Sequence, residues 1–263
     1  MGIENSFRIS KEKLLVSDIS EKYHKSFDTV IITFQSKVLK GIIENKLVQE
    51  IPDRKFGSCH GKYSIYKLVN EPNVLFYLSP IGAPIVVGIL EEIAYAFDIK
   101  NIVMYGSCGV LDKTISDGKI IVPTKAYRDE GTSYHYQPAS DFIDVKGVHF
   151  VSHVLDIINA DYIKGYTWTT DAFYRETEAI YLERKEQGCI AVEMEISAVQ
   201  AFSNLRGLNL YTFIYGADNL DTTKWDKRIL GNLSIDERVK YFLIASEIAL
   251  QLSCNQDKKS DLK

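Results

Sequence analysis

The sequence is short of several things, and each shortage removes a class of protein. Its longest apolar runs, such as residues 83–90, end at charges well short of a membrane span, and the first residues carry no apolar signal-peptide core. A soluble, unprocessed, cytoplasmic chain with no membrane partner is expected. Only four cysteines occur, Cys59, Cys108, Cys189 and Cys254, with no CxxC pair, so neither a zinc knuckle nor a disulfide framework is indicated. The five histidines, His24, His60, His135, His149 and His153, form no metal-ligand set; His149 and His153 are four apart across an expected strand end. No bound metal is expected. Charge is nearly balanced, with 31 basic and 35 acidic residues giving −4 and no basic stripe, which leaves no electrostatic footprint for nucleic acid. No Pro-, Gly- or Ser-rich linker divides the 263 residues, a length that suits one α/β domain. The chain parses as an N-terminal segment 1–28, a domain 29–254, and a polar, Lys-rich tail 255–263 expected to be disordered. Met1, Gly2 and Ser6 match a loose acylation pattern, but the mixed charge of 7–25 supplies no polybasic second anchor.

What is present is organised around residues 188–221, GCIAVEMEISAVQAFSNLRGLNLYTFIYGADNLD. Ala198, Val199, Phe202 and Leu205 recur at helical spacing, and Gly207 stands where that helix should stop. Residues 208–215 form an apolar, β-branched run that suits a buried parallel strand, with Gly216 as a turn after it. Ligands in open α/β sheets bind beyond the carboxyl ends of strands, which puts Asp218 in such a crevice, with Glu193 and Glu195 nearby if 189–192 is the adjacent strand. The same acids also suit simpler roles, since carboxylates complement a helix N-terminus and Asp-Asn is ordinary turn chemistry.

A similar unit comes earlier, at 81–112. Pro84 suits a first helical position; Val86, Ile89, Leu90, Ile93 and Phe97 make an apolar stripe. Residues 102–105 read as a short strand, and Gly106, Ser107, Cys108 and Gly109 as a turn able to offer backbone N–H groups and a hydroxyl to an anion. Elsewhere, 29–34, 118–123 and 162–169 read as strands, 64–69 and 74–78 as a hairpin, and 147–152 as β-like with a short helix after it. YRDEGTSYHYQPAS has no period and reads as a substrate-facing loop or subunit contact. Phe173 and Tyr174 offer a stacking face, 177–187 is a charged helix closed by Gly188, and Ser234 with Glu237 forms a capping box ahead of a final helix. The inventory is α/β, with a mixed central sheet and helices on both faces.

Five segments in order, MYGSCGVL, RDEGTSYHY, TTDAFY, VEMEISA and YGADNLD, resemble the trimeric and hexameric nucleoside phosphorylases, which include purine nucleoside phosphorylases, uridine phosphorylases and related nucleosidases. The likeness runs from about residue 29 to about residue 250. It implies a single α/β domain with a mixed, partly barrel-like sheet, and a homo-oligomer, either a dimer or a hexamer built as a trimer of dimers. It implies no cofactor, with phosphate as co-substrate and a nucleoside as substrate. By the same resemblance Glu193, Met194 and Glu195 hold the ribose, with Glu195 accepting from its vicinal hydroxyls. Phe173 packs on the base, Asp218 faces a purine ring nitrogen as the acid for the leaving base, and Gly106, Ser107 and Lys37 lie at the phosphate.

That resemblance implies cleavage of the N-glycosidic bond through an oxocarbenium-like sugar, with Asp218 protonating the base. Purine is favoured over uracil, because Thr177 and Ala179 stand where uridine phosphorylases carry a Gln and an Arg; Arg175 lies close by. The chain departs from the family at the phosphate, where Lys37 and Met104 replace two arginines. Arg54 and Arg128 are candidate replacements. Three readings follow: a purine nucleoside phosphorylase with an altered anion site, a water-using nucleosidase with Glu193 as base, and a nucleoside-binding protein with little catalysis.

Overall fold

A computed structural model describes residues 2–58, 61–71, 73–115 and 119–260, and in it the chain forms two compact units. The first comprises 12–80, 88–105 and 234–263. Its elements begin with β1 (Thr29–Thr33), α1 (Ser36–Glu44), β2 (Val48–Ser58), β3 (Gly61–Leu68) and β4 (Val74–Leu78). α2 (Ala83–Phe97) and β5 (Asn101–Val110) follow, each shared between the units: α2 from residue 88 and β5 up to residue 105 belong to this one.

All five residues of β1 are buried, because β1 pairs in parallel with both β4 and the opening half of β5. A strand covered on two faces must be apolar throughout, which is how TVIIT reads. The hairpin expected at 64–69 and 74–78 is present as antiparallel β3 and β4. β2, which carries Pro52 and is irregular in register between Glu50 and Lys55, was not legible as a strand. Proline removes a ladder donor, so such a strand belongs at an edge.

The second unit comprises 1–11, 81–87 and 106–233. After β5 come β6 (Ile120–Asp129), α3 (Ser133–Tyr136), β7 (Phe142–Asp144), α4 (Val148–Ile157) and β8 (Tyr162–Thr170). Then follow α5 (Glu178–Glu186), β9 (Cys189–Glu193), α6 (Ile196–Arg206) and β10 (Asn209–Asn219). The strand order β10-β6-β8-β9-β5 closes on itself through β10 and β5, giving the mixed, barrel-like sheet expected. Closure is tight at Gly109, where an added Cβ would lie 2.7 Å from Leu220 and 2.9 Å from Val192. The atoms in the way are side-chain methyls, so a side chain at 109 would have to displace Leu220 and Val192.

Several local expectations change. Residues 148–157 are helical, because Val148, Val151, Val154 and Leu155 share a face at helical spacing, and that pattern overrides their β-branched propensity. His149 and His153 are therefore one turn apart on the exposed face of α4, not at a strand end. The GSCG segment is not a turn, since β5 continues through it to Val110. Likewise β10 continues through Gly216 to Asn219, so Asp218 lies within the strand. Pairing partners extend strands past glycines that sequence alone reads as breaks. Gly207 does end α6, with φ of 69° in the left-handed region.

The final helix, α7 (Ile235–Ser260), belongs to the first unit and packs on α1 and β1. Its capping box is present: the Glu237 carboxylate accepts from the Ser234 N–H at 3.0 Å, and the Ser234 hydroxyl accepts from the Glu237 N–H at 3.2 Å. The helix continues to Ser260, six residues into the segment expected to be a disordered tail; 261–263 lie outside the described residues. Among the described residues no helix is long and apolar enough to cross a membrane.

Candidate active site

The junction of β9 and α6 positions three of the expected residues. Strand β9 ends at Glu193, Met194 makes the bend, and Glu195 is the N-cap of α6. Glu193 and Glu195 are each only 6% exposed. Their surroundings differ sharply.

The Glu193 carboxylate is saturated by protein donors. One oxygen accepts from the backbone N–H groups of Glu195 and Ile196 at 2.7 and 2.8 Å, and the other from the Thr169 hydroxyl at 2.5 Å. It thereby caps the first turn of α6 and ties β8 to β9. Burial raises its pKa to about 7 against the opposing pull of those hydrogen bonds.

Glu195 is held by backbone N–H groups, those of Gly82 and Met194. Its Oε1 accepts from the backbone N–H of Gly82 at 2.7 Å, and its pKa is pushed up to about 8, first by burial and then by the charge of Glu193. Gly82 sits at φ of 104°, a conformation open to glycine and strained for other residues.

A second pair of acids gathers at the end of β10. Asp218 is half-buried, its Oδ2 accepts from the Trp225 indole N–H at 2.7 Å, and burial raises its pKa against the lowering effects of that bond and of Arg228. Glu176 follows the short 3-10 turn of Phe173, Tyr174 and Arg175. Burial first, and then the charge of Asp218, raise Glu176 to about 7. Asp218 and Glu193 also act together on the buried Cys108 thiol, which burial pushes well above its ordinary range. Glu193, Cys108, Asp218 and Glu176 therefore form one chain of electrostatic neighbours. Glu195 joins it through Glu193.

Phe173 is 45% exposed, with its ring centroid 4.3 Å from that of Tyr174. Gly106 and Ser107 lie on β5, Ser107 half-buried. All these residues belong to the second unit. Lys37 does not: it is exposed in the first turn of α1, in the other unit.

Of the candidate replacement arginines, Arg128 is not available to an anion. Arg128 is 2% exposed and fully engaged: Nε donates to the Ser133 hydroxyl at 2.9 Å, and its terminal nitrogens donate to the Pro138 and Gln137 carbonyls and the Ser140 hydroxyl at 2.7, 3.3 and 3.0 Å. It staples the 130–140 segment, which is thus an internally braced structure with α3 at its centre. Arg54 donates to the Glu21 carbonyl at 2.5 Å and the Ser20 hydroxyl at 3.3 Å. Met104 is 2% exposed on β5, opposite Ile32 of β1.

Two residues of this region escaped the sequence reading, Glu176 and Trp225. Glu176 had a positional signal, three residues after Phe173, but nothing in the sequence marks it as buried. Trp225 had none, since its link to Asp218 depends on how the segment after β10 folds back to bridge Asp226 with Asn219. Among the described residues no group of three or more His, Cys, Asp or Glu is placed to hold a metal ion.

The comparisons agree with this architecture. Residues 28–237 match the phosphorylase superfamily. A DeoD-type purine nucleoside phosphorylase of Bacillus cytotoxicus is 24% identical over 179 residues, 67% of this chain and 73% of the relative. Among solved structures, AMP nucleosidase from Bacteroides thetaiotaomicron superposes with a TM-score of 0.70 at 16% identity, covering 88% of this chain and 91% of that one. Purine nucleoside phosphorylase from Toxoplasma gondii in complex with immucillin-H gives 0.70 at 18% identity, covering 89% and 93%. With four fifths of its length matched and its barrel-like sheet in common with these structures, the chain belongs to the phosphorylase superfamily, an enzyme superfamily acting on nucleosides.

Proposed function

We propose that this protein cleaves the N-glycosidic bond of a purine nucleoside, with phosphate as acceptor, giving free base and ribose 1-phosphate. The observation that carries the reading is Glu195, a buried carboxylate at the N-terminus of α6 that is met by the backbone N–H groups of Gly82 and Met194. A vicinal diol supplies the donors such a group needs, and it draws the carboxyl toward its ionised form. Asp218 serves as the acid for the leaving base. Burial keeps a proton on it to higher pH, and a positioned general acid contributes roughly 10²–10⁴-fold. Phe173, exposed beside Glu176, provides the face for the base. Ser107 and backbone N–H groups of β5 bind phosphate.

Water as acceptor is the second reading. It is favoured by the commitment of Arg128 to its own segment and by the apolar Met104 on β5, which leave the anion short of charge-assisted donors. It is opposed by the saturation of Glu193, the base it would call on. A homo-oligomer in which a neighbouring subunit brings a cation to Ser107 would restore the phosphate site.

The test is release of free base from inosine, adenosine, guanosine and uridine, each with and without millimolar phosphate. Phosphate-dependent release from the purine nucleosides, with ribose 1-phosphate formed, is expected. Free ribose regardless of phosphate would replace the phosphorylase reading with a nucleosidase. Thermal stabilisation by nucleosides without base release would make the protein a binder.

A further inference from the structure

Beyond the end of β10 the chain makes a small closed loop whose ordering is out of proportion to what it buries. Asn219 and Asp226 exchange both backbone hydrogen bonds, at 2.8 and 3.1 Å, so residues 220–225 form a loop with a tied neck. Trp225 stands on it 59% exposed, so burial contributes little to its placement; its indole N–H donates to Asp218 Oδ2 at 2.7 Å. Asp221, near the other end of the loop, is gripped from two further segments of the same unit. Its Oδ1 accepts from the Tyr181 hydroxyl at 2.8 Å and pairs with Lys185 Nζ at 3.0 Å, and its Oδ2 accepts from the Lys113 N–H at 3.0 Å. Tyr181 and Lys185 lie one turn apart on α5, and Lys185 Nζ also donates to the Tyr181 oxygen at 3.3 Å. A lone surface ion pair contributes little, but here several charge-assisted bonds converge on one carboxylate. Asp221 is held down at about 2, by the Lys113 N–H first and against its partial burial, so the grip stays ionised through neutral pH.

We infer that Tyr181, Lys185 and Asp221 are positioning residues for the acid that serves the leaving base: their clasp fixes the loop so that the Trp225 N–H stays on Asp218. The inference rests on the proposed function for what Asp218 does, and on the distances above for how it is held. A donor seated on a carboxylate favours its ionised form, so the clasp acts on Asp218 through Trp225. Asp218 also lies in the field of Arg228, Glu176 and Cys108, and Asp221 near that of Asp112. Those neighbours are common to the clasp variants below, which leaves the indole bond as the variable.

The chain holds two tryptophans, Trp168 buried in the core and Trp225, so 5-fluorotryptophan labelling gives two 19F resonances, assigned with Trp225→Phe. The wild type, Tyr181→Phe and Asp221→Asn are titrated by 19F NMR and by the pH profile of kcat for base release. The Trp225 resonance should follow the titration of Asp218 and lose it in Asp218→Asn, while an unmoved Trp168 resonance shows that the fold is intact. Lys185→Met, which removes a partly exposed cation, carries the test if either clasp variant disturbs Trp168. Loss of the clasp should move the midpoint and the alkaline limb of kcat to higher pH by about half a unit to one unit, the scale of one hydrogen bond to a charged group. Added to Trp225→Phe, Tyr181→Phe should move the limb no further. A midpoint that the clasp variants leave in place shows that the Asn219–Asp226 neck alone seats the indole, and overturns the inference. So does a further shift in the Trp225→Phe protein, or a resonance that still titrates in Asp218→Asn. A shifted midpoint without base release from any nucleoside keeps the clasp and removes the cleavage reading alone.

Discussion

The β9–α6 junction and the end of β10 both bury acids, yet they use them differently. At the junction Glu193 meets two backbone N–H groups and the Thr169 hydroxyl, and is a structural cap in every contact it makes. Two residues on, Glu195 is met by the backbone N–H groups of Gly82 and Met194. At the end of β10, Asp218 takes the Trp225 indole N–H and its own backbone N–H, and Glu176 takes none among the described residues. A carboxylate whose lone pairs are filled by protein has no capacity left for a ligand, whereas one left short is a place for ligand donors. Saturation separates Glu193 from the acids that the proposed chemistry employs, although VEME places it beside one of them in sequence.

Substitutions can break this comparison, and the largest effects belong to the under-satisfied acids. Asp218→Ala and Glu195→Ala should each lower kcat/KM by roughly 10²–10⁴-fold, one through loss of the general acid and the other through loss of two charge-assisted bonds to the diol. Steady-state base release should divide them: Asp218→Ala falls mainly in kcat, Glu195→Ala also in KM. Parental rates from Asp218→Ala would remove its catalytic role. Glu193→Ala should act on stability instead, costing about 2 kcal/mol in urea unfolding as the first turn of α6 loses its acceptor. A folded, fully stable Glu193→Ala protein that fails only in catalysis would reverse the contrast.

Smaller effects sharpen it. Glu176, Glu193 and Glu195 have folded pKa values raised to about 7, 7 and 8, above the ordinary glutamate value. Their contribution to stability is complete below the unfolded pKa and is lost as pH rises through these values. The melting temperature should therefore fall between pH 5 and pH 8.5, and a bound nucleoside should offset part of the fall by filling Glu195. A melting temperature that rises over this range would contradict the burial of these acids. Least of all, Trp225→Phe removes a donor that favours ionised Asp218, so the alkaline limb of the kcat profile should move to higher pH, with a change in rate of about fivefold. An unmoved limb would show that the indole bond does not tune Asp218.

Much of the candidate site's composition was legible as residue types in order. The two glutamates, Met194, Asp218 and Phe173 stand in short ordered segments whose residue types announce their chemistry, and helix signals such as Gly207 and the Ser234–Glu237 box are local, so they survive in the folded chain. Strand ends were not legible at Gly106 and Gly216, because whether a glycine interrupts a strand depends on the neighbour that pairs with it. Nor was the fate of Arg128, a charge next to an aromatic loop that looked free for phosphate and proves to be buried in its own segment's carbonyls. Lys37 falls in the unit apart from Ser107, a division that spacing along the chain does not reveal.

By itself the sequence determined the α/β class, the family and the candidates Glu193, Glu195 and Asp218, since periodicity, caps and short motifs are written in neighbouring residues. Only the tertiary structure decided which acids are spent on the fold and which remain for a ligand. It filled Glu193, left Glu195 and Asp218 partly open, and turned Trp225 back onto Asp218 across seven residues. The physical reason is that a carboxylate's pKa and its unfilled hydrogen-bonding capacity depend on burial and on donors contributed by other strands and turns, and those are properties of the assembled fold.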